Sequence, residues 1–240
     1  LSDMDEIEAK IEDADWQAVS DTMDERGYAV VPGFLSRQQC RHLIDGFDDT
    51  DAYRKTVDMA RYRFGLGSYK YWAYPLPDLV QALRIGLYPK LAPIANAWME
   101  RLNIPDRFPD TFEELQAACH DNGQEKPTPL ILKYGPGGYN TLHQDRYGDV
   151  YFPMQAACFL SAPDTDYSGG EFVLTEQVPR AQSRAIVLKP DLGDMLIFTT
   201  RFRPVKGTRG YYRANMKHGV SEVGRGQRYT LGIIFHDATS

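Results

Sequence analysis

From Leu130 onward the sequence is a succession of short apolar segments separated by Gly, Pro and Asp, and this rhythm limits the fold more than any other feature. Segments at residues 130–134, 141–143, 154–160, 171–176, 184–187, 194–198, 218–223 and 227–236 read as β-strands. Many short strands with turn residues between them predict a double-sheet jelly roll. In that architecture residues distant in sequence converge at one open end of a barrel.

The first half of the chain reads differently. Its first 25 residues hold ten acidic side chains against Lys10 alone, a local charge of −9 that leaves the remainder at +3 within a net −6. Met4, Ile7, Ile11, Ala14, Ala18 and Met23 fall at helical spacing, which predicts an amphipathic helix over residues 3–25 closed by Gly27. A solvated acidic face is the simplest account of it. A strand over residues 28–31 and a helix capped by Ser36 and running to Phe47 follow, with further helices at residues 78–87, 90–102 and 112–118. Lys126-Pro127-Thr128-Pro129 marks the passage into the β-region. The expected fold class is therefore α+β: one domain over residues 1–240, with a mainly helical part (1–127) packed on a jelly-roll core (128–240).

A hydrophobic content of 42% in 240 residues is enough to bury a sizeable core. No run approaches the roughly 18 apolar residues of a membrane span, and no secretory signal pattern opens the chain. Leu1 is not an initiator methionine and reads as the start of a trimmed chain. Cys40, Cys119 and Cys158 are odd in number and far apart, as expected of reduced thiols in a cytoplasmic protein.

Within the β-region one pattern carries chemistry. His143-Gln144-Asp145 is followed 73 residues after Asp145 by His218, and ten residues further by Arg228. Two imidazoles and one carboxylate can occupy one face of a non-haem Fe(II) and leave its other positions open. A guanidinium pairs bidentately with a carboxylate, as the far end of a dicarboxylate co-substrate such as 2-oxoglutarate requires. His-x-Asp alone is a weak signal. Its context strengthens it, because the loop 135–140 delivers His143 to a strand start. Of the other histidines, His42 and His120 lie outside the β-region, and His236 reads as a core or strand-end residue.

The ordered segments Tyr134-Gly135-Pro136-Gly137-Gly138, His143-Gln144-Asp145, Phe159-Leu160-Ser161, Ser168-Gly169-Gly170-Glu171-Phe172, Gly193-Asp194-Met195, Lys217-His218-Gly219-Val220 and Arg228-Tyr229-Thr230 resemble the Fe(II)- and 2-oxoglutarate-dependent dioxygenases, in a prolyl-hydroxylase-like layout. The resemblance implies His143, Asp145 and His218 as iron ligands, Arg228 as partner of the distal co-substrate carboxylate, Thr230 as a second donor and Tyr134 as a co-substrate contact. It also implies dioxygen as the oxidant, with release of succinate and carbon dioxide. Phe159 stands where some prolyl hydroxylases carry a co-substrate tyrosine, so that contact does not transfer.

Two stretches bear on the substrate. Residues 61–74 interleave basic and aromatic side chains, Tyr71 and Trp72 among them. Residues 201–218 hold six Lys or Arg, including Arg201, Arg203 and Arg209, and no acid, which reads as a basic loop entering the site. Both suit a nucleic acid, through phosphate contacts and base stacking. The bland readings are core packing for the aromatics and a solvated loop, or pairing with the acidic N-terminal segment, for the basic residues. The whole chain resembles a bacterial branch of these dioxygenases that modifies nucleic acids, with chemistry like that of the AlkB and ten-eleven-translocation enzymes. This implies oxidation of an alkylated or methylated nucleobase, such as methylcytosine, in DNA or RNA. A peptidyl-proline hydroxylase is the main alternative, and a non-catalytic binding module of the same fold the second.

Overall fold

The computed structural model describes residues 2–145 and 148–240. In chain order it comprises α1 (Asp3–Asp13), α2 (Trp16–Arg26), β1 (Tyr28–Val31), α3 (Arg37–Asp45), β2 (Tyr53–Asp58), β3 (Gly65–Leu66), β4 (Ser68–Trp72), α4 (Asp78–Arg101) and α5 (Phe112–Asp121). Next come β5 (Leu130–Tyr134), β6 (Tyr139–His143), β7 (Met154–Phe159), β8 (Tyr167–Gly169), β9 (Phe172–Gln177) and β10 (Arg184–Leu188). The last strands are β11 (Met195–Thr199), β12 (Phe202–Gly207), β13 (Gly210–Val220), β14 (Val223–Gly226) and β15 (Arg228–Ile233).

Two antiparallel sheets form the barrel. The larger has the order β1-β11-β7-β15-β5-β4-β2, and the smaller β10-β9-β13-β6-β3 with β12 also on β13. The side chains of β7 and β11 explain the layering. Every residue of both strands is buried, yet alternate residues go to different cores, as the two-residue period of a strand dictates. Met154, Ala156, Cys158, Met195 and Ile197 pack with Leu83, Leu87, Leu91 and Trp98 of α4. Ala157, Phe159, Leu196 and Phe198 turn the other way, towards Phe172, Leu174 and Met216 of the second sheet. The larger sheet is thus a middle layer between helices and the facing sheet, a jelly roll with helices on one side.

The helices differ from expectation in two places. Residues 3–25 form two helices: Ala14 is extended, and the Asp15 carboxylate caps α2 by accepting from the Ala18 N–H at 3.0 Å. Conversely, the two helices expected over 78–102 are the single α4, which continues through Pro89 and Pro93. The continuous burial of Leu83, Leu87, Leu91, Ala95 and Trp98 on the sheet outweighs the two missing backbone donors.

The first half also contributes strand as well as helix. β1 pairs with β11 at one edge of the larger sheet, and β4 pairs with β5 near the other, so N-terminal residues complete the sheet rather than only covering it. The basic stretch after Arg201 is not a loop. Residues 202–220 form the hairpin β12–β13, with Gly207 opposite Gly210 at its tip.

Candidate metal and co-substrate site

β6 and β13 run antiparallel with His143 directly opposite His218, and the ring centroids are 4.3 Å apart. Asp145, just beyond β6, places one carboxylate oxygen 3.4 Å from His143 Nε2 and the other 3.1 Å from His218 Nε2. The three ligand atoms lie within 4.8 Å of one another, close enough to share one ion. Such proximity needs the strands very near each other after His218. A Cβ on Gly219 would stand 2.6 Å from the Asn140 carbonyl oxygen.

Second-layer contacts orient the triad. His143 Nδ1 lies 2.6 Å from the Thr141 carbonyl, which can only accept, so Nδ1 carries the proton and Nε2 is left to ligate. Gln155 on β7 donates to Asp145 Oδ2 at 3.0 Å. Gln144 donates to the carbonyls of Arg201 (2.7 Å) and Met216 (3.0 Å), tying the His-x-Asp segment to the hairpin. The His218 ring is flanked by Phe172 and Phe198, stacked on the former at 6.0 Å. Burial pulls the imidazole of His218 down and favours its neutral, ligating form. Burial acts against the Asp145 carboxylate, but His218 and His143 outweigh it and hold the acid well below the usual range. At His143 burial is likewise outweighed, by Asp145, and the imidazole is raised.

The same residues border a cavity of about 360 Å³ that also takes in Arg228, Thr230, Tyr134, Tyr69 and Tyr71. Arg228 is only 2% exposed. It donates to Thr230 Oγ1 at 2.8 Å, has Tyr167 as a further hydroxyl partner, and lies over the rings of Tyr134 and Phe159. Its Nε has no partner, and among the described residues no carboxylate pairs with it. Burying a cation without an anion is costly, and here it pushes the guanidinium down. A carboxylate arriving in the cavity would satisfy it. Tyr134, fully buried, accepts from Asn140 Nδ2 at 3.1 Å, and burial pushes its hydroxyl up to about 12. The donor set of two imidazoles and a carboxylate, beside a buried cation lacking an anion, fits Fe(II), 2-oxoglutarate and dioxygen.

The structure brings together seven of the residues singled out in the sequence: His143, Asp145, His218, Arg228, Thr230, Tyr134 and Tyr71. Four others stand apart from this cavity. Trp72 is adjacent to Tyr71 on β4 and therefore points to the opposite face, buried against Tyr53. Arg203 forms a two-pronged pair with Glu176, both bonds 3.0 Å, and so is already occupied. Arg209 sits at the tip of the β12–β13 hairpin, about 30 Å along the strand from His218. Arg201 lies over the Tyr151 ring and borders a smaller cavity that touches Asp145 from another side. Gln155 was missed, although it is the one polar side chain in an otherwise apolar strand. His236 is a core residue, accepting the Phe152 N–H at 3.0 Å through Nδ1.

Fold and site together define an oxygenase. The chain belongs to the Oxygenase-NA family, whose model matches residues 67–238 and which is described as oxygenases catalysing oxidative methylation of damaged DNA. Two uncharacterized proteins of Mycobacterium tuberculosis are each 47% identical over 164 residues, covering 68% of this chain and 70% of theirs. Among solved structures, a Pseudomonas putida prolyl-4-hydroxylase superposes with a TM-score of 0.56 at 16% identity, covering 93% of this chain and all of the other. An oxidoreductase of the 2OG-Fe(II) oxygenase family from Burkholderia pseudomallei gives 0.53 at 12% identity, covering 95% of each. These distant likenesses establish a shared jelly-roll fold.

Proposed function

We propose that this chain is an Fe(II)- and 2-oxoglutarate-dependent dioxygenase that hydroxylates or oxidatively demethylates an alkylated base in DNA. The observation that carries the reading is the buried Arg228, its Nε unpartnered and no described carboxylate in ion-pair contact with it, Glu171 acting only from further off, in the same cavity as the His143–Asp145–His218 cluster. The substrate class rests on the family, described as acting on damaged DNA. The cavity walls are compatible with it, since Tyr69, Tyr71 and Phe64 line the cavity with aromatic surface.

In this reading His143, Asp145 and His218 hold the metal, Gln155 fixes the carboxylate, and Arg228 with Thr230 grips the far carboxylate of 2-oxoglutarate. The metal with its co-substrate supplies dioxygen activation, with 2-oxoglutarate leaving as succinate and carbon dioxide. The protein's part is to present the substrate C–H bond and keep bulk water away. The apolar rings of Phe172 and Phe198 around His218 serve the second task. His143 leaves a third of its side chain exposed, so the cavity reaches solvent beside a ligand and a base can approach from there.

The test offers methylated DNA, methylated RNA and prolyl peptides side by side with Fe(II) and 2-oxoglutarate. Succinate is measured, and mass spectrometry follows each substrate for an added oxygen or a lost methyl. Turnover of methylated DNA is expected. A peptide product with both nucleic acids unchanged would overturn the substrate assignment, and no succinate with any substrate would favour a binding module.

A further inference from the structure

The rim of the cavity carries aromatic surface that the metal and co-substrate residues leave unused. In Arg61-Tyr62-Arg63-Phe64 all four side chains are exposed, Tyr62 at 50% and Phe64 at 45%. The two rings stack on one another, with centroids 5.6 Å apart and an interplanar angle of 17°. Phe64 also borders the cavity, so the pair runs from its wall out into solvent. Leu66 and Tyr139, opposite each other in the β3–β6 pairing, extend the apolar rim.

This rim is built rather than loose. The Phe64 carbonyl accepts both from the Thr141 N–H at 2.9 Å and from its hydroxyl at 2.8 Å, two residues from His143. Phe64 N–H donates back to the Met59 carbonyl, and the Asp58 carboxylate caps the turn at Ala60. Gly65 and Gly67 hold φ of 145° and 150°, where a side chain would be strained, and a Cβ at Gly67 would lie 2.8 Å from the Tyr134 ring. The aromatic pair is therefore fixed relative to both Tyr134 and the metal-binding strand.

Resting on the DNA reading above, we propose that Tyr62 and Phe64 form a stacking platform for the base next to the oxidised one, in a single-stranded or locally opened strand, with Arg61 and Arg63 taking the adjacent phosphates. The oxidised base occupies the cavity; its neighbour meets the rim. A base cannot enter between the two rings, because ring-to-ring contact needs about 3.5–4.0 Å on each side, roughly 7 Å in all, against the 5.6 Å present. It stacks instead on the outer face of Phe64, because Arg61 already lies over the Tyr62 ring, 6.0 Å from its centroid. Charge complements this role: the exposed Arg61 and Arg63 alternate with the rings, and the carboxylate of Asp58 is turned to its own turn.

The probe is a single-stranded oligodeoxynucleotide carrying one methylated cytosine, with 2-aminopurine placed on either side of it. Wild type is expected to quench the aminopurine on one side, and the Tyr62→Ala/Phe64→Ala variant to lose that quenching and bind about tenfold to a hundredfold more weakly. Arg61→Ala/Arg63→Ala is expected to reduce the salt dependence of binding while leaving the quenching in place. Thermal melts check that each variant is folded. Unchanged binding and quenching in the folded aromatic variant, with wild type still active on DNA, would overturn the platform and leave the enzyme's substrate class intact. Failure of wild type to bind the oligonucleotide would overturn both.

Discussion

Among the described residues two arginines are buried, Arg84 and Arg228, and they are buried in opposite ways. Arg84 on α4 uses its whole guanidinium: Nε donates to the Ile234 carbonyl (3.1 Å), Nη1 to the Tyr74 hydroxyl (2.7 Å), and Nη2 to the Phe235 carbonyl (3.0 Å) and Asp237 (2.6 Å). Asp237 is itself held by Tyr74 and His120. Arg228 is as deep but meets two hydroxyls and two aromatic faces, with Nε bare. A buried charge with its counter-ion in place is a brace between helix and sheet. A buried charge without one is a receptor.

The largest effect should come from breaking the brace. Arg84→Met leaves Asp237 buried beside His120 without its cation, and should lower unfolding free energy by about 3–5 kcal/mol, read by urea denaturation. Arg228→Met should do the reverse: folding is unharmed or slightly improved, while 2-oxoglutarate binding weakens by about 2–5 kcal/mol, read by titration calorimetry. Comparable destabilisation in both variants would end the distinction. Acid should act on the brace side too. Burial and the nearby Arg84 hold His236 down to about 4, whereas the unfolded chain takes up that proton near pH 6.5. Stability from this group is complete above pH 6.5 and is lost as pH falls from there towards 4, by at most on the order of 3 kcal/mol; melts at pH 7.5 and 5 measure it. The smallest effect sharpens the receptor side. Gln155→Leu should cost about 10- to 100-fold in iron affinity, measured by competition with a chelator, with little change in 2-oxoglutarate affinity on the metal-saturated variant.

Much of the receptor was legible in the sequence, and almost none of the brace. Histidine is scarce in this chain, with five in 240 residues, so His143 and His218 at telling intervals from Asp145 and Arg228 stand out, and short punctuated strands supplied the barrel they converge in. Arg84, Tyr74, His120 and Asp237 carry no such mark, because their meaning lies in contacts across 117 to 163 residues of chain. The basic run misled for a related reason. Residues 201–218 form a hairpin in which alternate side chains face opposite ways, so Arg203 could turn inward to Glu176 while Arg213 and Lys217 stayed outside. Charge along a sequence does not say which face a strand gives it.

The direct opposition of His143 and His218 has a consequence for the sheet itself. Between β6 and β13 only His218 with His143 and Val220 with Asn140 stand in register, with an irregularity between them. An ion bound by both histidines would cross this sparse seam and act as a rivet between neighbouring strands. Loss of metal would then loosen β6 together with the rim segment hydrogen-bonded to Thr141, and the entrance to the cavity would soften at the moment the reactive centre is emptied.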